Sequence, residues 1–164
     1  MKHSDTGKEP VTMRNRILAA LAAALLLFTS SCGGDETPAE VDLAALADTL
    51  LAEAAFTDSL ALIDDDTVTM LYGIDNAEEQ YVYIGSGATP EEIALFAFAT
   101  EADAEAGFAL AQMRIADQKD AFSDYNSWEM PKLDSAVVKQ YGTYVALCVS
   151  GDSGAETILE EALN

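Results

Sequence analysis

Tyr81-Val82-Tyr83-Ile84 and Ile93-Ala94-Leu95-Phe96-Ala97-Phe98, with Gly85-Ser86-Gly87 between them, decide the fold. The first run is β-branched and aromatic and reads as a strand. The glycines and serine after it end that strand. Thr89-Pro90-Glu91-Glu92 then carries helix-start signals: a capping residue, proline at the first position and acids in the first turn. The apolar residues 93–98 suit a strand, so a second strand entered through one helical turn is expected. Thr100 opens the clearest helix, because Thr100-x-x-Asp103 matches the capping-box pattern. Phe108, Ala111, Ile115, Phe122 and Tyr125 form its apolar stripe, with Leu110 and Met113 beside them, and the helix should end near Tyr125.

The same strand, strand, helix order recurs downstream. Residues 126–133, which contain Trp128 and Pro131, read as a loop. Residues 136–140 and 144–149 read as strands joined tightly through Tyr141-Gly142-Thr143, and residues 154–163 as a closing helix. Upstream, Leu43, Leu46, Leu50 and Ala54 place a helix over 41–55, with Asp42, Asp48 and Glu53 facing water. Asp64-Asp65-Asp66 supplies a loop or cap before 68–72, and Tyr72-Gly73-Ile74-Asp75-Asn76 contains turn residues. Strands joined by short turns pair antiparallel, and helices then cover one face. The expectation is a two-layer α+β domain over 41–164, with an antiparallel sheet of about four strands.

The chain before that domain differs in kind. Residues 17–28 are twelve consecutive apolar residues, preceded by Arg14 and Arg16 and followed by Thr29-Ser30-Ser31-Cys32. A span across a bilayer needs about 20 such residues, so this run is too short. A buried globular helix would show a polar face, and this run has none. It has the layout of a secretory signal: positive charge, apolar centre, small residues. The cysteine at its end resembles the bacterial lipobox, in which the thiol takes a diacylglyceryl group and the chain is cut before it. Thr29 stands where that pattern usually has leucine. Residues 1–31 are thus expected to be a lipoprotein signal peptide, starting at Met1 or Met13. Residues 32–40 then form a lipidated flexible tether, whose eight residues after Cys32 reach on the order of 16 Å. This anchors the domain to the outer, extracytoplasmic face of the cell membrane.

From Cys32 onward, 4 basic residues face 27 acidic ones, a net charge of −23. Nucleic-acid binding requires cations to displace phosphate counterions, and Arg114, Lys119, Lys132 and Lys139 are too few. Anionic headgroups are poor partners for the same reason, so membrane contact runs through the lipid on Cys32. Cys148 is the only other cysteine. Once Cys32 is modified the domain folds without a disulfide, which about 125 residues can do.

Tyr72-Gly73-Ile74-Asp75, Glu91-Glu92-Ile93-Ala94, Arg114 with Gln118, Phe122 and Tyr125-Asn126, then Val137-Val138 and Gly142-x-Tyr144-Val145 follow one another in a recognisable order. In that order the chain resembles the bacterial lipoprotein family built on domain of unknown function 4358, over most of residues 41–163. Ser127 stands where the family has proline after Tyr-Asn. The resemblance implies a small lipoprotein of a Gram-positive bacterium with a single domain. The family has no established activity, so no catalytic residue carries over.

The only histidine, His3, precedes the expected cut. The mature domain therefore lacks imidazole, which excludes Ser-His-Asp and Cys-His catalysis and histidine-based metal sites. Gly151-Asp152-Ser153-Gly154 reads as a turn and helix cap, and Gly85-Ser86-Gly87 as a turn without the lysine of a phosphate loop. Asp64-Asp65-Asp66 lacks the glycine and glutamate of a calcium loop, since those places hold Thr69 and Asp75. Cys148 reads as an inert buried thiol. Trp128, beside Tyr125 and Met130, either lines a ligand surface or packs its loop onto the core. Arg114 should bridge acids on or near its helix, and is the best residue to meet a small anionic ligand. No catalytic set, cofactor or metal is expected. The leading expectation is a non-enzymatic domain binding a protein partner or small ligand, with Arg114, Trp128 and Tyr125 as candidate ligand-binding residues. The alternative is a carboxylate-based enzyme, with or without bound metal, acting on cell-envelope material.

Overall fold

Each helix of the domain begins where the sequence offers a way to begin it. The computed structural model describes residues 41–164. The expected signal peptide over 1–31, the lipidation site Cys32 and the tether over 32–40 lie outside the described residues. Helix α1 (Leu43–Glu53) is capped by Asp42, whose carboxylate accepts from the Ala45 N–H at 2.9 Å. Strand β1 (Ala61–Leu62) follows, then α2 (Asp65–Tyr72), capped by Asp64 on the Thr67 N–H and stopped by Gly73 in the left-handed conformation at φ +70°. Strands β2 (Glu79–Ile84) and β3 (Glu92–Ala97) form a hairpin. Helix α3 (Glu101–Tyr125) starts on Thr100, whose hydroxyl accepts from the Asp103 N–H at 3.1 Å. A 3₁₀ turn (Ser127–Glu129), α4 (Met130–Asp134), β4 (Val137–Tyr141), β5 (Tyr144–Val149) and α5 (Gly154–Leu163) complete the chain.

The sheet order is β1-β2-β3-β5-β4, with every neighbouring pair antiparallel. Tyr141 pairs with Tyr144, so Gly142-Thr143 is a two-residue hairpin loop, and Gly142 supplies its positive φ of +57°.

The α+β class and the helix-covered antiparallel sheet are as expected. The strand count is five rather than about four among the described residues, because Ala61–Leu62 is too short to show a period in sequence. The helices also cover both faces instead of one. Ala94, Phe96, Val145, Leu147 and Val149 pack with α2, α3 and α4, while Ile93, Leu95, Ala146 and Cys148 pack with α1 and α5. Adjacent residues on a strand point to opposite faces, so the two continuous apolar runs, 93–98 and 144–149, require cover on both.

Three local differences each have their own physical reason. The acids of Thr89-Pro90-Glu91-Glu92 do not open a helical turn, and the chain runs straight into β3 because both glutamates are drawn into buried ion pairs. The expected loop over 126–133 is helical, with Pro131 in the first turn of α4, where its missing N–H costs nothing. The buried line of α3 is Ala104, Gly107, Ala111, Ile115 and Gln118; of the expected stripe, Ala111 and Ile115 lie in it, Phe108 and Phe122 are half-buried against the core, and Tyr125 is not part of it. Tyr125 is 71 % and Met113 59 % exposed. Small residues let α3 approach the sheet closely: a Cβ on Gly107 would lie 2.3 Å from the Phe98 ring.

Candidate functional site

Glu91 stands directly before β3 and Glu92 opens it, and each is 1 % exposed. Successive residues of an extended chain point opposite ways, so the two carboxylates serve separate networks. Burial of a carboxylate is tolerated only with full hydrogen bonding and a counter-charge.

Glu92 receives its donors from two helices. Arg114 and Gln118 stand four residues apart on α3 and so share a face. Arg114 Nη2 donates to Glu92 Oε2 at 3.0 Å and Nε at 3.3 Å, while Gln118 Nε2 donates to the same oxygen. The Tyr72 hydroxyl, at the end of α2, donates to Oε1. Burial, followed by the Glu92 charge, pushes the Tyr72 phenol well above its ordinary range, so it stays a proton donor. The Arg114 guanidinium also lies over the Tyr72 ring, 5.7 Å from its centroid, and Tyr72 meets Phe96 edge-on at 5.3 Å.

Glu91 ties three segments together. Its carboxylate accepts from the Thr57 N–H at 2.9 Å, the Thr57 hydroxyl at 2.8 Å, the Asp58 N–H at 2.7 Å and Lys132 Nζ at 2.8 Å. Burial by itself raises the Glu91 carboxyl, but Lys132, the two N–H groups and the hydroxyl outweigh it and hold it below its ordinary value. Asp58 in turn accepts from the Ser86 N–H at 2.7 Å and the Ser86 hydroxyl at 2.6 Å. That contact pins the β2–β3 loop, and Gly85 is needed there because a Cβ would meet Asp58 Oδ2 at 2.7 Å.

Between this pinned loop and the middle of α3 lies a cleft of about 210 Å³. Its walls include Ile84, Pro90 and Phe122, and its polar lining includes Arg114, Asp117 and Gln118. Gln118 is 6 % exposed. Its amide nitrogen is engaged by Glu92, and its Oε1 is buried with no hydrogen-bond partner. An unmade bond on a buried acceptor costs about 1–3 kcal/mol.

Of the candidate ligand-binding residues Arg114, Tyr125 and Trp128, only Arg114 lines the cleft. It bridges an acid near its helix, as expected, and that acid is Glu92 on β3. Tyr125 reaches the cleft indirectly, meeting the lining residue Phe122 edge-on at 6.0 Å. Trp128 does not pack its segment onto the core: it is 90 % exposed and outside the cleft. Cys148 is a free buried thiol whose pKa burial pushes up to about 12. Asp64 is a helix cap, and among the described residues no three His, Cys, Asp or Glu groups converge as a metal would require. Sequence reasoning quoted Glu91, Glu92 and Gln118 as landmarks of the family resemblance but gave them no place in a site. The available signal was two acids directly before a wholly apolar strand in a domain with four cations.

The family model described as Domain of unknown function (DUF4358) matches residues 53–150. The chain belongs to this family. The DUF4358 segment contains α2, α3, α4 and all five strands, and with them every residue of both carboxylate networks. No curated protein and no solved structure matches the chain. No described helix is long and apolar enough to cross a membrane.

Proposed function

We propose that this DUF4358 protein is a lipoprotein, anchored through Cys32 to the outer face of the cell membrane, whose domain binds a small ligand in the cleft between α3 and the β2–β3 loop. The observation that carries the binding reading is the state of the cleft's buried carboxylates. A general acid needs a carboxyl held up toward neutrality. Glu91 is held down by Lys132 and two backbone N–H groups, and Glu92 is gripped by Arg114, Tyr72 and Gln118. Groups held by this many donors set the shape of the pocket wall. The carboxylate-enzyme alternative finds no support in this pair. The anchor rests on Arg14, Arg16, the apolar residues 17–28 and Thr29-Ser30-Ser31-Cys32.

The address is tested by growing cells on an alkyne fatty acid and clicking a dye onto the purified protein. Label on the wild type, absent from Cys32→Ala, is expected. Unlabelled wild type, or label that survives Cys32→Ala, contradicts it.

A further inference from the structure

We infer that the groove between α1 and α5 docks a cationic amphipathic helix of a partner protein, its apolar face on the groove floor and a lysine or arginine at each end. This surface is separate from the cleft, and the inference does not depend on what the cleft binds.

The groove follows from how the two helices lie on the sheet. The Val41 N–H donates to the Tyr144 hydroxyl at 3.2 Å, which puts the start of α1 beside the start of β5. The Gly151 N–H donates to the Ala55 carbonyl at 2.7 Å, which puts the end of α1 beside the start of α5. The two helices are therefore antiparallel neighbours, and a groove of about 450 Å³ runs between them. Ala45, Leu46 and Thr49 from α1, with Ile158 and Ala162 from α5, form its floor. The Thr49 hydroxyl donates to the Ala45 carbonyl at 2.9 Å, so the floor asks for no hydrogen bond. Ala45 and Ala162 are small and exposed, so an incoming helix can come close. The lining of α1 runs from Asp42 to Glu53, about 16 Å along the axis, or about three turns. Over that length a helix presents anchors at i, i+4 and i+7 to a groove.

The charges at its ends identify the occupant. Antiparallel packing places Asp42 and Glu161 at one end and Glu53 at the other. No lysine or arginine lines the groove, and neither Glu53 nor Glu161 has an ion pair among the described residues. Both glutamates also stand where their own helices oppose them. Glu53 is the last residue of α1, Glu161 lies in the last turn of α5, and neither turn holds a cation. A helix is negative at that end and favours a cation there. Asp42, Asp64 and Asp103 show the stabilising alternative, since each stands at a helix start. A partner's cation would be attracted both by the carboxylate and by the helix end. All four cations of the described residues already sit against other carboxylates, so the compensating charge comes from another molecule. A second copy of this strongly negative chain brings like charge, and so does an anionic lipid surface.

The test is an amide NMR titration of the ¹⁵N-labelled full chain with a synthetic, alanine-based, helix-forming peptide of about 14 residues. It carries leucines at i, i+4 and i+7 and two lysines at each end. Saturable shifts should concentrate in α1 and α5. Replacing the lysines by glutamates, or the leucines by serines, should weaken binding at least about tenfold, because charge and apolar area are both required. Glu53→Lys/Glu161→Lys should weaken it by about tenfold or more. Asp75→Lys/Asp124→Lys makes the same charge change on exposed acids outside the groove, and should weaken it by less than about threefold. The groove variant should melt no lower than wild type, since it removes acids from two helix ends. Equal weakening by the two double variants would reduce the binding to diffuse attraction and overturn the assignment. Shifts centred on residues 84–92 and 114–122, or a glutamate peptide that binds as well, overturn it too. Concentration-dependent shifts of groove residues without peptide would give the groove to a second copy and overturn the partner helix. A lower melt of the groove variant would show that Glu53 and Glu161 serve the fold, and overturns the reasoning from their placement. None of these outcomes bears on the Cys32 labelling result.

Discussion

Arg114→Met separates the structural role of the Glu92 network from its surface appearance. The substitution keeps the aliphatic stem of the side chain and removes the guanidinium. It leaves a carboxylate that is 1 % exposed with only Tyr72 and Gln118 as donors. Removing one partner of a buried pair costs about 3–5 kcal/mol. The Arg114 side chain is 18 % exposed and two donors survive, which favours the low end, near 3 kcal/mol. Loss of the guanidinium over the Tyr72 ring adds about 0.5–1 kcal/mol. With a urea m-value of about 2 kcal/mol/M, the midpoint should fall by roughly 1.5–2 M without a change in slope. Arg114→Met/Glu92→Gln should recover part of the loss, because the uncompensated charge is then gone, and the double-mutant cycle should give a coupling of about 1.5–3 kcal/mol. A loss below about 1 kcal/mol with no coupling, the behaviour of a surface pair, would refute the reasoning.

Other consequences follow from groups elsewhere in the fold. Glu91 has a folded-state carboxyl held below its ordinary value of 4.5, so its contribution is complete above that pH and is lost as pH falls through the lower folded value. Urea melts of Glu91→Gln should therefore flatten the acid limb of the stability curve relative to wild type, with Asp58 and Asp64 keeping a residual slope; an unchanged limb would contradict the network. Cys148 should react with a thiol reagent at pH 8 roughly a thousandfold more slowly than free cysteine until the chain is denatured, and fast native labelling would contradict its burial. Gly107→Ala should lower stability by about 1–3 kcal/mol through the Phe98 ring, as read in a thermal melt, and Phe98→Leu should recover part of that. Equal stability of Gly107→Ala and wild type would place α3 farther from the sheet.

What the residues disclosed depended on whether local signals agreed. Residues 144–149 and 154–163 matched the observed β5 and α5 because period, turn glycines and β-branching all point one way there. Thr100 announced α3 for the same reason. The layering was harder to see, although wholly apolar strands at 93–98 and 144–149 carried the clue that both faces need cover. The stripe of α3 was right at Ala111 and Ile115 and missed Ala104 and Gly107, the small residues that close approach to a sheet favours, while Tyr125 lies outside it. The cleft was only partly legible. Arg114 stood out as one of few cations, but its partner lies 22 residues away in the chain, and pairing at that distance is set by tertiary packing. Nothing local says that a polar side chain such as Gln118 turns inward on its helix. Helix-start chemistry at Thr89-Pro90-Glu91-Glu92 was correct as local propensity and lost to the two buried ion pairs.

The proposed delivery of the domain to the membrane surface by modification of Cys32 is tested most directly by intact mass spectrometry of the protein extracted from cell membranes. The predicted species begins at Cys32, lacks residues 1–31 and carries the added mass of a diacylglyceryl group. A chain that retains the residues before Cys32, or begins elsewhere with an unmodified cysteine, would contradict it.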